Sequence, residues 1–279
     1  MKSISAVIID THQHKKMAEI AINMMLRVSC VNKVYTFSDA PFTTVDDSKL
    51  EFIKIQPIHS LNEYNTIIFK NLLGVVKEEH FFVFQWDGFP IFPNNWVDSF
   101  CNYDYVGAPL EDAGGLVGNG GFSLRSNKLL QAINVLQLGV DPAREVAQPE
   151  DWIICVENRA ALEKGGINFA PTEVGGAFSI ETGILNSGIF GFHGVMNFPF
   201  LFQENALIEN ADEIIYRTSD IRILNNYLFN CQSKDMERLL KASFKNFRNK
   251  PNLLNLYEYL QKNNPLGEMS GLFLNYGDL

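Results

Sequence analysis

Phe81-Phe82-Val83-Phe84 is apolar at every position. Side chains alternate between the two faces of a strand, so this run, read as a strand over Phe81–Gln85, is apolar on both faces, as a central strand of a parallel sheet is. The preceding sequence supplies partners for it. Ser5 to Ile9 is a short apolar run ending in Asp10-Thr11, and Met17 to Val28 follows with Ala18, Ala21, Ile22, Met25 and Leu26 at helical spacing. Val34 to Phe37 repeats the strand signal and stops at Ser38-Asp39-Ala40-Pro41; Phe52 to Ile58 gives a third strand, and Tyr64 to Val76 a helix. Strands that alternate with helices build an α/β sheet. After Gly121 the pattern reads as a strand over Phe122–Leu124 and helices over 127–138 and 150–162. Short strands and loops are expected around Gly175-Gly176 and Phe190–Gly194, and helix from Pro199 onward. The expected architecture is a Rossmann-like, mixed but mainly parallel central sheet with flanking helices over 1–198, then a helical C-terminal extension over 199–279.

Charge excludes one class of partner. The chain of 279 residues carries a net charge of −9, whereas nucleic-acid binders concentrate Lys and Arg to release counterions from phosphates. No segment is apolar for long enough to span a bilayer. The run after Met1-Lys2-Ser3 is too short for a signal-peptide core and is broken by Asp10. Cys30, Cys101, Cys155 and Cys231 form no CxxC pair, which points to reduced thiols and a cytoplasmic protein. Near the end, Lys234, Arg238, Lys241, Lys245 and Arg248 recur every three or four residues, with Leu240, Phe244 and Phe247 on another face. Such a basic amphipathic helix is expected to rest on the inner, anionic face of a membrane, next to a lipid-linked acceptor.

Open α/β sheets bind ligands at the carboxyl ends of their strands, where Asp10, Thr11, Asp39, Gln85 and Asp87 stand. Gly118-Asn119-Gly120-Gly121 adds a turn in which glycine tolerates positive φ and lets backbone approach a ligand. One acid after a buried strand, followed by a glycine-rich element, suits a nucleotide-sugar site. Asp10, Thr11 and Asp39 would contact the nucleotide, and Asn119, Gly120 and Gly121 a sugar. A departing diphosphate needs its charge neutralised, commonly by a divalent cation; Asp87 and His193 are the expected ligands of Mn2+ or Mg2+. Glu150-Asp151 opens a helix after Pro149, and one of the two would take the proton of an acceptor hydroxyl.

Phe84–Phe89, Tyr103–Leu110, Val117–Ser126, Pro149–Trp152, Phe178–Thr182 and Gly191–Gly194 together resemble the DUF5672 family, whose members resemble glycosyltransferases of the GT-A fold. The resemblance covers roughly residues 60–195, and Val117–Ser126 is its most specific part. It implies sugar transfer from a nucleotide-sugar donor to a glycan or lipid-linked glycan, as in polysaccharide assembly. GT-A enzymes commonly carry an Asp-x-Asp element; Asp87 matches its last carboxylate, while Gln85 stands in place of the first. Similarity to inverting β-galactosyltransferases implies Asp151 as base, Glu150 as an acceptor-binding residue, and inversion. The rival expectations are a non-catalytic carbohydrate-binding protein on the same fold and a nucleotidyltransferase.

Overall fold

The computed structural model describes residues 3–43, 47–183, 185–218 and 220–248. The chain divides into two compact units, Met1–His193 and Gly194–Leu279.

The first unit opens with β1 (Ile4–Ile9), α1 (Lys16–Met25), β2 (Val31–Ser38) and β3 (Leu50–Lys54). The helical segments α2 (Leu61–Thr66) and α3 (Leu72–Val75) follow, joined by a π-helical turn at Ile67–Asn71, and then β4 (His80–Phe84). β5 (Gly88–Pro90) and β6 (Tyr105–Gly107) precede the short pair β7 (Pro109–Leu110) and β8 (Leu116–Val117), then β9 (Phe122–Ser126) and α4 (Asn127–Val135). The main sheet has the order β3-β2-β1-β4-β9-β6. β3, β2, β1 and β4 are parallel neighbours, and β9 runs antiparallel to both β4 and β6. This is the mixed, mainly parallel sheet that the sequence calls for.

The register explains the double-sided strand. Val7 pairs with Val83 and Tyr35, and with Phe81 and Phe37 these face one layer, packed on Ile68, Leu72, Val76 and Leu130. Phe82 points the other way into an aromatic stack, parallel to Phe122 at 6.1 Å; Phe122 in turn stacks on Phe178 at 5.0 Å. All five residues of β4 are buried, so the apolar run is fully used.

The remainder of the unit is α5 (Glu150–Trp152), α6 (Arg159–Lys164), α7 (Thr172–Phe178), β10 (Ser179–Ile180) and β11 (Gly191–His193). Two expectations are corrected here. The helix expected over 150–162 is interrupted by a π-helical turn at Ile153–Glu157, and Asn158 leaves helical geometry while its side-chain amide donates to the Ile153 carbonyl at 2.9 Å. Gly175-Gly176 lies inside α7 rather than in a loop. A Cβ on Gly175 would sit 2.6 Å from the Gly107 carbonyl oxygen, so glycine lets the helix approach the sheet.

The second unit is helical: α8 (Phe198–Leu201), α9 (Glu204–Arg217), α10 (Ile221–Ser233) and α11 (Glu237–Arg248). Glu204 Oε1 accepts from the backbone N–H of Arg238 and Leu239 at 2.9 and 3.1 Å, an acid capping the exposed donors at the start of α11. Among the described residues no helix is long and apolar enough to cross a membrane, and the four cysteines are buried free thiols.

Candidate functional site

Gln85, Asn119, Gly120, Gly121, Asp151 and His193 line one cavity of about 260 Å³, beyond the carboxyl end of β4. Tyr64, Glu150 and Glu181 complete the polar part of its wall.

Gln85 and Gly88 exchange backbone hydrogen bonds of 3.1 and 3.2 Å, closing a two-residue turn over Trp86-Asp87. β11 pairs antiparallel with β5 and sets His193 opposite Gly88. The imidazole therefore stands beside Asp87, Nε2 lying 3.8 Å from its Oδ1, while Nδ1 lies 3.3 Å from Glu181 Oε1. Burial disfavours a charge on this ring, but Asp87, the Glu181 hydrogen bond and Asp151 outweigh it and raise the His193 pKa to about 9. The site thus holds an imidazolium at neutral pH. Burial pushes the Glu181 carboxyl upward, but the hydrogen bond from His193 prevails and holds it below its ordinary value, with a smaller contribution from Asn119.

The glycines have a different reason from the expected one. A Cβ on Gly121 would run into the His193 imidazole, and one on Gly120 into the Glu150 carboxylate. Positive φ falls on Asn119, at 64°, rather than on either of them. Asn119 is 3% exposed and its Oδ1 has no hydrogen-bond partner among the described residues, an acceptor left for a donor group in the cavity.

Glu150 and Asp151, adjacent in sequence, are used differently. Glu150 accepts two hydrogen bonds from the guanidinium of Arg125, at 2.6 and 2.9 Å. Arg125 also donates to Ser123 Oγ at 2.9 Å, and its guanidinium carbon lies 5.1 Å from the Tyr105 ring centroid. Both members are buried; burial lifts the Glu150 carboxyl above its ordinary range, opposed by the Arg125 charge. Both Glu150 oxygens are thereby committed within the protein rather than presented to an acceptor. Asp151 Oδ2 accepts from the Gly120 N–H at 2.9 Å and Oδ1 from the Trp152 N–H at 2.9 Å, two of the four lone-pair positions of a carboxylate.

Asp10, Thr11 and Asp39 do stand at the carboxyl ends of β1 and β2, but none lines this cavity. Asp10 Oδ1 accepts from the His12 N–H, Thr11 Oγ1 from the Ile58 N–H, and Asp39 Oδ1 from Lys15 Nζ, each at 2.8 Å. That lysine bond holds the Asp39 carboxyl below its ordinary value. Gln85 Nε2 donates to the Tyr64 hydroxyl at 3.0 Å. Sequence reasoning passed over Arg125 and Glu181. A cation in the middle of an otherwise apolar strand was a visible signal for the first; nothing in the spacing marked the second.

A metal shared by Asp87 and His193 does not fit this donor set. Asp87 meets one ring nitrogen and Glu181 the other, so the two acids sit on opposite edges of the imidazole and cannot converge with it on one ion. An imidazolium also has no lone pair to give. Among the described residues no group of three or more His, Cys, Asp or Glu is placed to hold a metal ion.

The expected basic face is also revised. Lys234 belongs to the turn after α10, where Asp235 takes a φ of 53°, and its ammonium lies 5.0 Å from the Phe200 ring centroid. On α11, Lys241 pairs with Glu237 at 2.9 Å, and Arg238 lies 3.9 Å from Glu204. The side chains of Lys245 and Arg248, with Phe244 and Phe247, lie outside the described residues.

The model of a family described as a protein of unknown function (DUF5672) matches residues 47–193. No curated protein matches the chain. Among solved structures it is similar to the mannosyltransferase PcManGT of Pyrobaculum calidifontis, in complex with GDP-Man and Mn2+, at 8% identity. That likeness has a TM-score of 0.43 over 98% of this chain and 79% of the other. TarS of S. aureus in complex with UDP-GlcNAc shares 10% identity and a TM-score of 0.40 over 88% and 81% of the two chains. The 4-diphosphocytidyl-2C-methyl-D-erythritol synthase of Anaerococcus prevotii shares 10% and 0.35, over 61% and 85%.

Proposed function

The chain belongs to the DUF5672 family, and from the site it carries we propose that it is a nucleotide-sugar-dependent glycosyltransferase that acts in the cytoplasm on a glycan or lipid-linked glycan. One observation carries this reading: a cavity walled by an imidazolium, His193, and by a carboxylate, Asp151, that keeps free lone pairs. Group transfer with an anionic leaving group needs both, a base for the incoming hydroxyl and a cation for the outgoing charge. In this reading Asp151 takes the acceptor hydroxyl proton as the oxygen bonds to the anomeric carbon. The bond from that carbon to the phosphate oxygen breaks, and its electron pair leaves on the diphosphate, facing His193. A single displacement of this kind inverts the anomeric centre.

The other residues serve this exchange. Asp87 and Glu181 hold the ring of His193, and Asn119 Oδ1 accepts from a donor hydroxyl. The Arg125–Glu150 pair fixes the backbone of Gly120, whose N–H orients Asp151. Asp10, Thr11 and Asp39 lie toward β1 and β2, where the nucleotide would extend.

Melting temperature measured with a panel of nucleoside diphosphates and nucleotide sugars, each with Mn2+, Mg2+ or EDTA, tests the reading. A ligand that binds only the folded state at a hundred times its dissociation constant adds about 2.7 kcal/mol of stability. Asp151→Asn should keep that stabilisation and lower transfer by roughly 100-fold or more. No shift with any donor would leave a protein that binds sugar without turning it over.

A further inference from the structure

A second cavity, of about 250 Å³, shares Pro149, Asp151 and Glu181 with the first. The remainder of its wall is Pro109, Leu110 and Trp152 on the apolar side, and Glu111, Asp112 and Thr182 on the polar side. Two neighbouring cavities with the proposed base in the wall of both are what a two-substrate reaction requires. We infer that this second cavity is the acceptor subsite, and that it takes a neutral or amine-bearing sugar and rejects phosphorylated or carboxylated ones.

Its lining carries the chemical class. An indole beside two apolar residues offers a flat surface for the C–H face of a pyranose ring. Hydroxyls on the ring edge would meet Asp112 and Glu111, the latter already accepting from the Thr182 hydroxyl. Every charged side chain among the described residues of the wall is an acid: Glu111, Asp112, Asp151 and Glu181. No lysine or arginine stands there to receive a phosphate or carboxylate, so an anionic sugar would bring its charge against four like charges in a recessed site. An acceptor hydroxyl held against Trp152 lies next to Asp151, because the two residues are adjacent at the start of α5.

The inference rests on the glycosyl-transfer reading for the direction of transfer, while sugar binding is measured without it. Saturation-transfer NMR on the full chain would use methyl glucoside, methyl galactoside, glucosamine, glucose 6-phosphate and glucuronic acid. Neutral and amine-bearing sugars should bind at least about tenfold more tightly than the two anions. Trp152→Ala should weaken the neutral sugars roughly three- to tenfold and leave the melting shift with the nucleoside diphosphate unchanged. Asp112→Asn should narrow the gap between glucose and glucose 6-phosphate. If Trp152→Ala unfolds, Trp152→Phe with quenching of tryptophan fluorescence reads the same contact. Anionic sugars binding as well as neutral ones, neutral binding indifferent to Trp152, or no glycoside binding at all would each overturn the subsite, even where the nucleotide shift stands. Glycoside binding that depends on Trp152, in a protein that no nucleotide stabilises, would uphold the subsite as a sugar site and overturn the transfer reading instead.

Discussion

Arg125 is a fully buried cation in the strand next to the most apolar strand of the sheet, and its partner Glu150 is equally enclosed. Removing one member of such a pair leaves a charge without compensation, which costs about 3–5 kcal/mol, whereas an apolar replacement of both is often neutral. Arg125→Met and Glu150→Leu singly should therefore lower the melting temperature sharply, and the double variant should recover most of the loss. Calorimetry of the three variants checks this, and a single variant as stable as the parent would deny the pair its structural weight. His193 gives a pH prediction. Its folded pKa of about 9 lies above the ordinary value of 6.5, so its stabilising contribution is complete below pH 6.5 and is lost as pH rises through 9. In EDTA, stability should fall over that window by roughly 3 kcal/mol at most, and His193→Gln should flatten the fall. Urea titrations at pH 6, 7.5 and 9 measure it. The sequence showed that Gly120 and Gly121 need close approach, but not to what. The neighbours are Glu150 and His193, more than twenty residues away, brought there by register rather than by local pattern.

At the scale of elements, strands were the most legible, because burial on both faces leaves an unbroken apolar run and each run ends in a polar residue. The two π-helical turns, Ile67–Asn71 and Ile153–Glu157, were not. An inserted residue shifts the helical phase only locally, and a 3.6-residue pattern averaged over a dozen positions hides it. These turns lie just after Tyr64 and after Glu150-Asp151, so they help set the faces that those residues present. Gly175 is the other element-level surprise. Propensity alone says that alanine in a helix is better than glycine by about 1 kcal/mol, yet here a methyl group would meet the Gly107 carbonyl oxygen and the side chain of Val117. Gly175→Ala should therefore destabilise, by roughly 1–3 kcal/mol, while Gly176→Ala, with open space around its Cβ, should not. A stabilised Gly175→Ala variant would show that α7 can withdraw from the sheet at little cost.

The whole molecule offers a test of where the function resides. No proline-rich or glycine-rich linker marks the division after His193, and the apolar content continues across it, so composition had nothing to show; the division follows from which residues pack together. Both cavities are lined wholly by residues of the first unit. So are the main sheet and its two apolar layers. A unit of that size with its own core has what independent folding requires. A fragment ending shortly after His193 should thus melt cooperatively and show the same stabilisation by a nucleoside diphosphate as the full chain. Its binding of neutral glycosides should be unchanged, because Trp152, Asp112 and Glu111 are all retained. A fragment that folds but loses the nucleotide shift would mean that the second unit supplies a donor contact. A fragment that does not melt cooperatively would mean that the sheet is incomplete without it, and the site would then have to be ascribed to the whole chain.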